Sequence, residues 1–416
     1  MRGLVYEASP MRWMLCRVAG LFTPRAYYGP LSMLRLRELP MPALPGPDWV
    51  RLRTRLGGIC GTDLALIAQR NHPATVLQRF AHFPAVLGHE NVATIEAVGE
   101  GVRGWAVGQR VCVEPSIGCA GRGMAPLCAQ CAAGRCSICE HAGDADLPPR
   151  ALVGLNRLTG GSWSEFFVAH VSQLHAVSDA LPDEQAVLID PLASAAHGVL
   201  RRPPRAGERV LVNGAGIIAL GVIAAIRALG LRNEIVATAR HAFQSHLARS
   251  AGATDVIEIP SGTRQADRYE AIARRVGGRR VEGRFGNQGL LGGFDLTYDC
   301  TGNGAGMTDA MKWTRARGCV VMLGTSGITL LDTTPLWFDE LEVIGANGRQ
   351  MEESEGSKVH TYEMLMGWVA EGRLKLDAFP VRTYRLDAYR TALGDLLSRG
   401  RRGVLKAAFD FRSAGG

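Results

Sequence analysis

A chain of 416 residues, 47% apolar and 21% charged, is long enough for two domains with separate cores, and it offers no uninterrupted apolar run of about eighteen residues that would span a membrane. Its formal charge of +8 comes mostly from scattered arginines in short runs such as Arg201-Arg202 and Arg274-Arg275, with no aromatic platform beside them, so neither a nucleic-acid nor a membrane partner is expected. Five of the ten cysteines fall between Cys119 and Cys139, which reads as metal binding in a reducing, cytoplasmic setting rather than as a disulfide framework.

The N-terminal stretch 11–22 is apolar, but Arg12, Cys16 and Arg17 interrupt it and no small-residue cleavage site follows, so it does not read as a signal peptide. Residues 1–190 are rich in Gly, Pro and Cys. Short β-type runs at 49–53 and 93–98, each ended by turn residues, predict an antiparallel, partly barrel-like domain. A turn at 104–108 leads into a further strand.

Two clusters in this region carry chemistry. The first is Gly58-Ile59-Cys60-Gly61-Thr62-Asp63 followed by Gly88-His89-Glu90. Cys60, His89 and Glu90 offer a thiolate, an imidazole and a carboxylate, which suit a zinc ion with one exchangeable position. Such an ion polarises an alcohol or carbonyl oxygen. Asp63 is a candidate to hold the far nitrogen of His89. Asp190 is a candidate further ligand, or a holder of the metal's water. His72 and His82 read as loop residues. The second cluster contains Cys128, Cys131 and Cys139, spaced as a tight zinc knuckle, with either Cys119 or Cys136 as the fourth thiolate of a closed structural zinc site.

Character changes after Asp190-Pro191. A helix is expected at 193–200. Strands at 210–212, 234–237, 256–259, 296–299, 320–323 and 342–344 then alternate with helices at 217–229, 242–251, 269–276 and 306–314, the pattern of a parallel sheet covered by helices. The Gly- and Arg-rich stretch 261–293 is expected to hold a surface loop. A helix at 361–371 and a strand at 404–409 return the tail to the first domain. The domains are therefore 1–191, completed by 346–416, and 192–345.

The turn Val210-Leu211-Val212-Asn213-Gly214-Ala215-Gly216 follows a strand and opens a helix at Ile217 and Ile218, with Ala219 in the place of a third glycine. Glycines there let a pyrophosphate approach the helix N-terminus, so Gly214, Ala215, Gly216, Ile217 and Ile218 are candidate dinucleotide contacts. NAD binders end the next strand on a carboxylate that holds the ribose hydroxyls. Here that position is Ala239, followed by Arg240 and His241, which would receive a 2′-phosphate. NADP is the expected cofactor, with NAD possible.

These motifs resemble the zinc-dependent medium-chain alcohol/polyol dehydrogenases, in the branch of the threonine, sorbitol and glucose dehydrogenases. The resemblance covers nearly the whole chain. It includes Phe83-Pro84 to Glu90, Asp190-Pro191-Leu192-Ala193, Cys300-Thr301-Gly302-Asn303 and Val343-Ile344-Gly345. It implies a GroES-like antiparallel partial-barrel catalytic domain and a Rossmann doubly wound parallel-sheet domain. It further implies a catalytic zinc on Cys60 and His89 with Glu90 on or beside it, Thr62 handling the proton of the reacting hydroxyl, and Thr301 among the cofactor contacts. The structural zinc would sit on Cys119, Cys128, Cys131 and Cys139, with 120–127 bulging out and Cys136 left over. Homodimers or homotetramers are usual in such proteins.

The expected activity is hydride transfer between NADP(H) or NAD(H) and a secondary alcohol, polyol, sugar or the matching carbonyl. The alternatives are a biosynthetic aldehyde or ketone reductase and a catalytically silent cofactor-binding sensor or scaffold. Three departures stand out. Ala65 replaces a relay histidine, Asp190 is one methylene shorter than a Glu, and residues 70–82 lengthen the path from Cys60 to His89.

Overall fold

The computed structural model describes all residues except 145–151, 325–326, 355, 399, 401 and 413–416. The chain divides into two compact units. The first comprises Met1–Asp190, Gly348–Met366 and Pro380–Gly416, and the second Pro191–Asn347 and Gly367–Phe379. Residues 367–379 thus group with the second unit, where the sequence reading carried the whole tail with the first.

The first unit is built on a long strand, Trp49–Ile59. Val50, Leu52, Thr54 and Leu56 point inward, and the intervening Arg51, Arg53 and Arg55 are more exposed, the period-two pattern of a half-buried strand. The outward arginines meet acids: Arg53 lies 3.2 Å from Glu96, and Arg55 2.9 Å from Asp183. This strand pairs antiparallel with Asn91–Val98, Phe166–His170 and Lys406–Asp410. The sheet continues through Arg110–Val113 and Leu174–Ala176, and Val381–Tyr384 lies at its other edge. Leu52, Ile95, Val111 and Phe167 form one core in this unit, and Leu4, Ile59, Trp163 and Phe409 belong to a second. The last strand was expected at 404–409 and forms at Lys406–Asp410, paired with the strand that delivers Cys60.

The second unit holds six parallel strands in chain-numbered order 3-2-1-4-5-6: Val210–Asn213 and Phe294–Asp299 at the centre, Ile235–Ala239 and Asp255–Glu258 on one side, Thr314–Met322 and Glu342–Gly345 on the other. This is the doubly wound dinucleotide-binding order. Its first crossover helix, Ile217–Ala228, is apolar nearly all round and largely buried.

Two stretches differ from their expected character. The stretch 261–293, expected to hold a surface loop besides the helix at 269–276, contains the helix as Gln265–Val276 and also a two-stranded hairpin of Arg279–Glu282 and Gln288–Leu291. Its strands are only four residues each, so the period-two signal was weak. The interrupted apolar stretch near the N-terminus forms a helix, Pro10–Ala19, capped by Ser9 and started by Pro10. A further helix, Ile189–Arg201, starts earlier than expected and places Asp190 in its first turn.

Candidate active site

Cys60 caps the short helix Gly61–Ile67 where the long strand ends, and its backbone N–H donates to Asp63 Oδ2 at 2.9 Å. Across the sheet, Gly58 N–H donates to the Glu90 carbonyl at 2.9 Å, and Ser162 Oγ donates to the same oxygen at 2.8 Å. Gly58 has a steric reason to be glycine: a Cβ there would lie 2.4 Å from Glu90 Oε2. The neighbouring backbone therefore fixes Glu90 and its predecessor His89 opposite Cys60.

One ligand atom from each of Cys60, His89 and Glu90 lies within 4.8 Å of the other two. His89 and Glu90 are buried and Cys60 is partly exposed, so the cluster has one accessible side. His89 Nδ1 faces Asp63 Oδ1 at 3.5 Å, which leaves Nε2 for a metal. Burial works against an imidazolium here, but Asp63 and Cys60 outweigh it and hold His89 above its usual range. The same negative groups would draw in a dication. Glu90 Oε1 is buried and makes no hydrogen bond. A buried, unsatisfied carboxylate oxygen beside a thiolate and an imidazole fits a zinc ion.

Glu90 Oε2 is ion-paired with Lys406 Nζ, which also donates to the Ile59 carbonyl at 3.1 Å. Both side chains are almost fully buried. Burial opposes the ammonium, but Glu90 and Cys60 outweigh it and hold the Lys406 pKa up. The sequence reading missed Lys406. Its signal was one lysine in an otherwise apolar run, Val404-Leu405-Lys406-Ala407-Ala408-Phe409.

Thr62 Oγ1 lies 3.7 Å from Cys60 Sγ. Asp190 does not join the three ligands. Arg349 donates to its Oδ2 at 2.6 Å and Tyr362 Oη donates to its Oδ1. Burial opposes the charge on Arg349, but Asp190 holds it on. Burial, reinforced by Asp190, pushes the Tyr362 phenol well up, so Tyr362 stays a proton donor. An aspartate held by an arginine and a tyrosine is fixed in place by charge-assisted hydrogen bonds. Neither partner was visible in the sequence motifs. Glu114 lies in the same buried neighbourhood. Burial pushes it up to about 7, although Arg349 and the Ser116 amide pull the other way. His72 and His82 are exposed and outside the cluster.

Ligand atoms of Cys119, Cys128, Cys131 and Cys139 form a second group, also within 4.8 Å of one another and all buried; Cys136 is not one of the four. A single short turn, Ala120–Arg122, begins the segment that separates Cys119 from the knuckle. The amides of Cys119, Cys128 and Cys131 donate to sulfurs of the group at 3.4 to 3.5 Å. Burial alone would raise the Cys128 thiol, but amide N–H donors from Cys131 and Glu140 outweigh it and bring it down to about 6. Four such sulfurs fit a closed zinc site.

In the second unit, Gly214 has φ +116° and its N–H donates to Thr238 Oγ1 at 2.8 Å. A Cβ on Gly216 would meet nothing within 4 Å, so open space stands at the N-terminus of the helix, where a pyrophosphate would approach. Ala215 is buried, and Ile217 and Ile218 are half-buried at that terminus. Arg240 is exposed just past the strand Ile235–Ala239, and His241 caps the following helix. Thr301 Oγ1 donates to Asp299 Oδ1 at 2.8 Å. Asn213 donates to the same oxygen, which ties the ends of two central strands together.

Residues 46–179 match the alcohol dehydrogenase GroES-like domain, and residues 218–363 match the zinc-binding dehydrogenase domain. The chain is 30% identical over 325 residues to an L-threonine 3-dehydrogenase of Aeromonas salmonicida, covering 77% of this chain and 82% of that one. Its fold superposes on an alcohol dehydrogenase of Escherichia coli complexed with NADH at a TM-score of 0.71, with 21% identity over 99% of both chains. It also superposes on 2R,3R-butanediol dehydrogenase of Bacillus subtilis at a TM-score of 0.67, with 24% identity over 91% of this chain and 96% of that one.

Proposed function

Because the chain belongs to the zinc-dependent medium-chain alcohol dehydrogenase family, we propose that it oxidises a small secondary alcohol or polyol with NADP in preference to NAD, and reduces the matching carbonyl in reverse. The observation that carries this reading is the group Cys60, His89 and Glu90, with one buried carboxylate oxygen left over for a metal. Zinc held by these residues supplies Lewis-acid polarisation of the substrate oxygen.

The rest is the work of the protein's own side chains. Asp63 orients His89. Lys406 neutralises Glu90 and fixes its direction. Thr62, beside Cys60, accepts the hydroxyl proton and passes it on toward solvent, since Ala65 offers no imidazole. Asp190 is taken up by Arg349 and Tyr362, so it supports the site from outside the ligand set. A nicotinamide cofactor bound at the Gly214–Gly216 turn would supply the hydride acceptor. The absence of a carboxylate at Ala239 and the exposed Arg240 beside it support NADP.

The relatives named L-threonine 3-dehydrogenase and butanediol dehydrogenase both point to a hydroxyl on a secondary carbon, flanked by a second polar group. A cytoplasmic location fits ten cysteines of which none is disulfide-bonded. A homodimer or homotetramer fits the exposed Trp337 and Phe338 near the edge strand Glu342–Gly345.

The test is NADPH absorbance over a panel of L-threonine, vicinal diols and polyols, with zinc content measured in parallel. Turnover of at least one secondary alcohol is expected, with kcat/KM roughly tenfold or more higher for NADP than for NAD. Arg240→Asp should reverse that preference. Zinc-loaded protein that turns over nothing on the panel with either cofactor, or that binds NAD more tightly, would refute the reading.

A further inference from the structure

The helix Pro10–Ala19 plays no part in the site described above. Its inner face is firmly held. The buried Cys16 thiol contacts the Ala26 and Leu31 carbonyls at 3.4 and 3.3 Å, and Gln69 Nε2 donates to the Trp13 carbonyl at 3.0 Å. Arg17 donates back to the Gln69 carbonyl at 2.9 Å.

The outer face is another matter. Met11, Met14, Leu15 and Val18 stand three, four and seven residues apart on one stripe, opposite Cys16, and Leu21 and Phe22 extend it just past the helix end. These six side chains are between 48% and 85% exposed. Single exposed apolar residues are ordinary, whereas a contiguous stripe of large ones marks a contact surface.

Charge narrows the partner. Arg12 and Arg17 flank the stripe on its two sides, and Arg25 is exposed beyond its end. From Ala8 to Arg37 there are five arginines and no acid. A second copy laid on the same stripe would bring these arginines against one another. An anionic bilayer suits both features: apolar side chains enter the acyl boundary while the flanking arginines meet lipid phosphates. No helix among the described residues is long and apolar enough to cross a membrane, so contact is confined to the surface.

We propose that the Pro10–Ala19 helix, with Leu21 and Phe22, is an interfacial anchor that docks this protein on anionic phospholipid membranes. The experiment is flotation of the full-length protein with phosphatidylcholine vesicles, with and without phosphatidylglycerol. Binding is expected to the phosphatidylglycerol-containing vesicles only, and to weaken with added salt. Leu15→Glu/Phe22→Glu should reduce it at least about tenfold, with unchanged circular dichroism and dehydrogenase activity. Arg17→Glu/Arg25→Glu, which leaves the apolar stripe intact, should do the same. The proposal is overturned if wild-type protein fails to float with anionic vesicles, or if both double variants float as well as wild type. It is also overturned if light scattering shows that the apolar double variant splits an oligomer while vesicle binding is absent, because the stripe is then a contact between copies.

Discussion

Two metal-type clusters sit in the same unit and are built from opposite materials. The four-cysteine cluster is local: its ligands fall within residues 119–139, all four are buried, and amides of its own loop donate to its sulfurs. The cluster of Cys60, His89 and Glu90 is assembled across the sheet from the ends of separate strands. It is surrounded by charge, with Asp63 behind the histidine and Lys406 on the glutamate. The first arrangement suits a metal that never exchanges its ligands. The second suits one that must take and release a substrate oxygen, because its donors are mixed and one side is accessible. A closed site needs only sulfur and amides, whereas an open one needs a counter-charge to hold its carboxylate in place.

The comparison can be broken by removing one ligand from each cluster. Cys60→Ala should cost about 10⁴-fold or more in kcat, with folding intact by circular dichroism; comparable turnover in the variant would remove the open site from catalysis. Lys406→Met leaves the buried Glu90 carboxylate without its cation, and a loss of about 3–5 kcal/mol in urea unfolding is expected. A much smaller loss would mean that Glu90 is neutral or held by something else. Cys128→Ala should release one zinc equivalent and cost about 2–4 kcal/mol. Two zinc equivalents in that variant, by atomic absorption, would contradict the closed site.

A smaller effect sharpens the contrast in charge. Burial raises Glu114 from 4.5 to about 7, against the opposing pull of Arg349 and Ser116. Its neutral form is favoured in the fold, so the stability it contributes is fully present below about 4.5 and lost as pH rises to about 7. Glu114→Gln should therefore raise stability by about 1–3 kcal/mol at pH 8 and leave it unchanged at pH 4, as read by thermal melts. A gain of equal size at both pH values would show that the carboxyl does not titrate in this window.

Much of the fold was legible. The six strands of the parallel sheet lie close to their expected positions, because short apolar runs that alternate with helix-length segments leave a strong pattern. The hairpin Arg279–Glu282 with Gln288–Leu291 was not legible, since strands of four residues, Arg-Arg-Val-Glu and Gln-Gly-Leu-Leu, are too short to show alternation. The N-terminal helix showed only as an interrupted apolar run, because its period places those residues on the outside rather than against a core.

Sequence by itself determined the donor types and the dinucleotide turn: Cys-x2-Cys spacing, the Gly-Thr-Asp run after Cys60, and Gly214 and Gly216 between strand and helix are contiguous along the chain. Only the tertiary structure decided that Lys406 neutralises Glu90, that Arg349 and Tyr362 occupy Asp190, and that Cys119 rather than Cys136 stands with the other three sulfurs. The reason is distance along the chain. Lys406 and Glu90 are 316 positions apart and Arg349 and Asp190 are 159 apart, and such pairs leave no local spacing to read. They exist because strand register and helix placement bring buried opposite charges to the same point, where neither could remain alone.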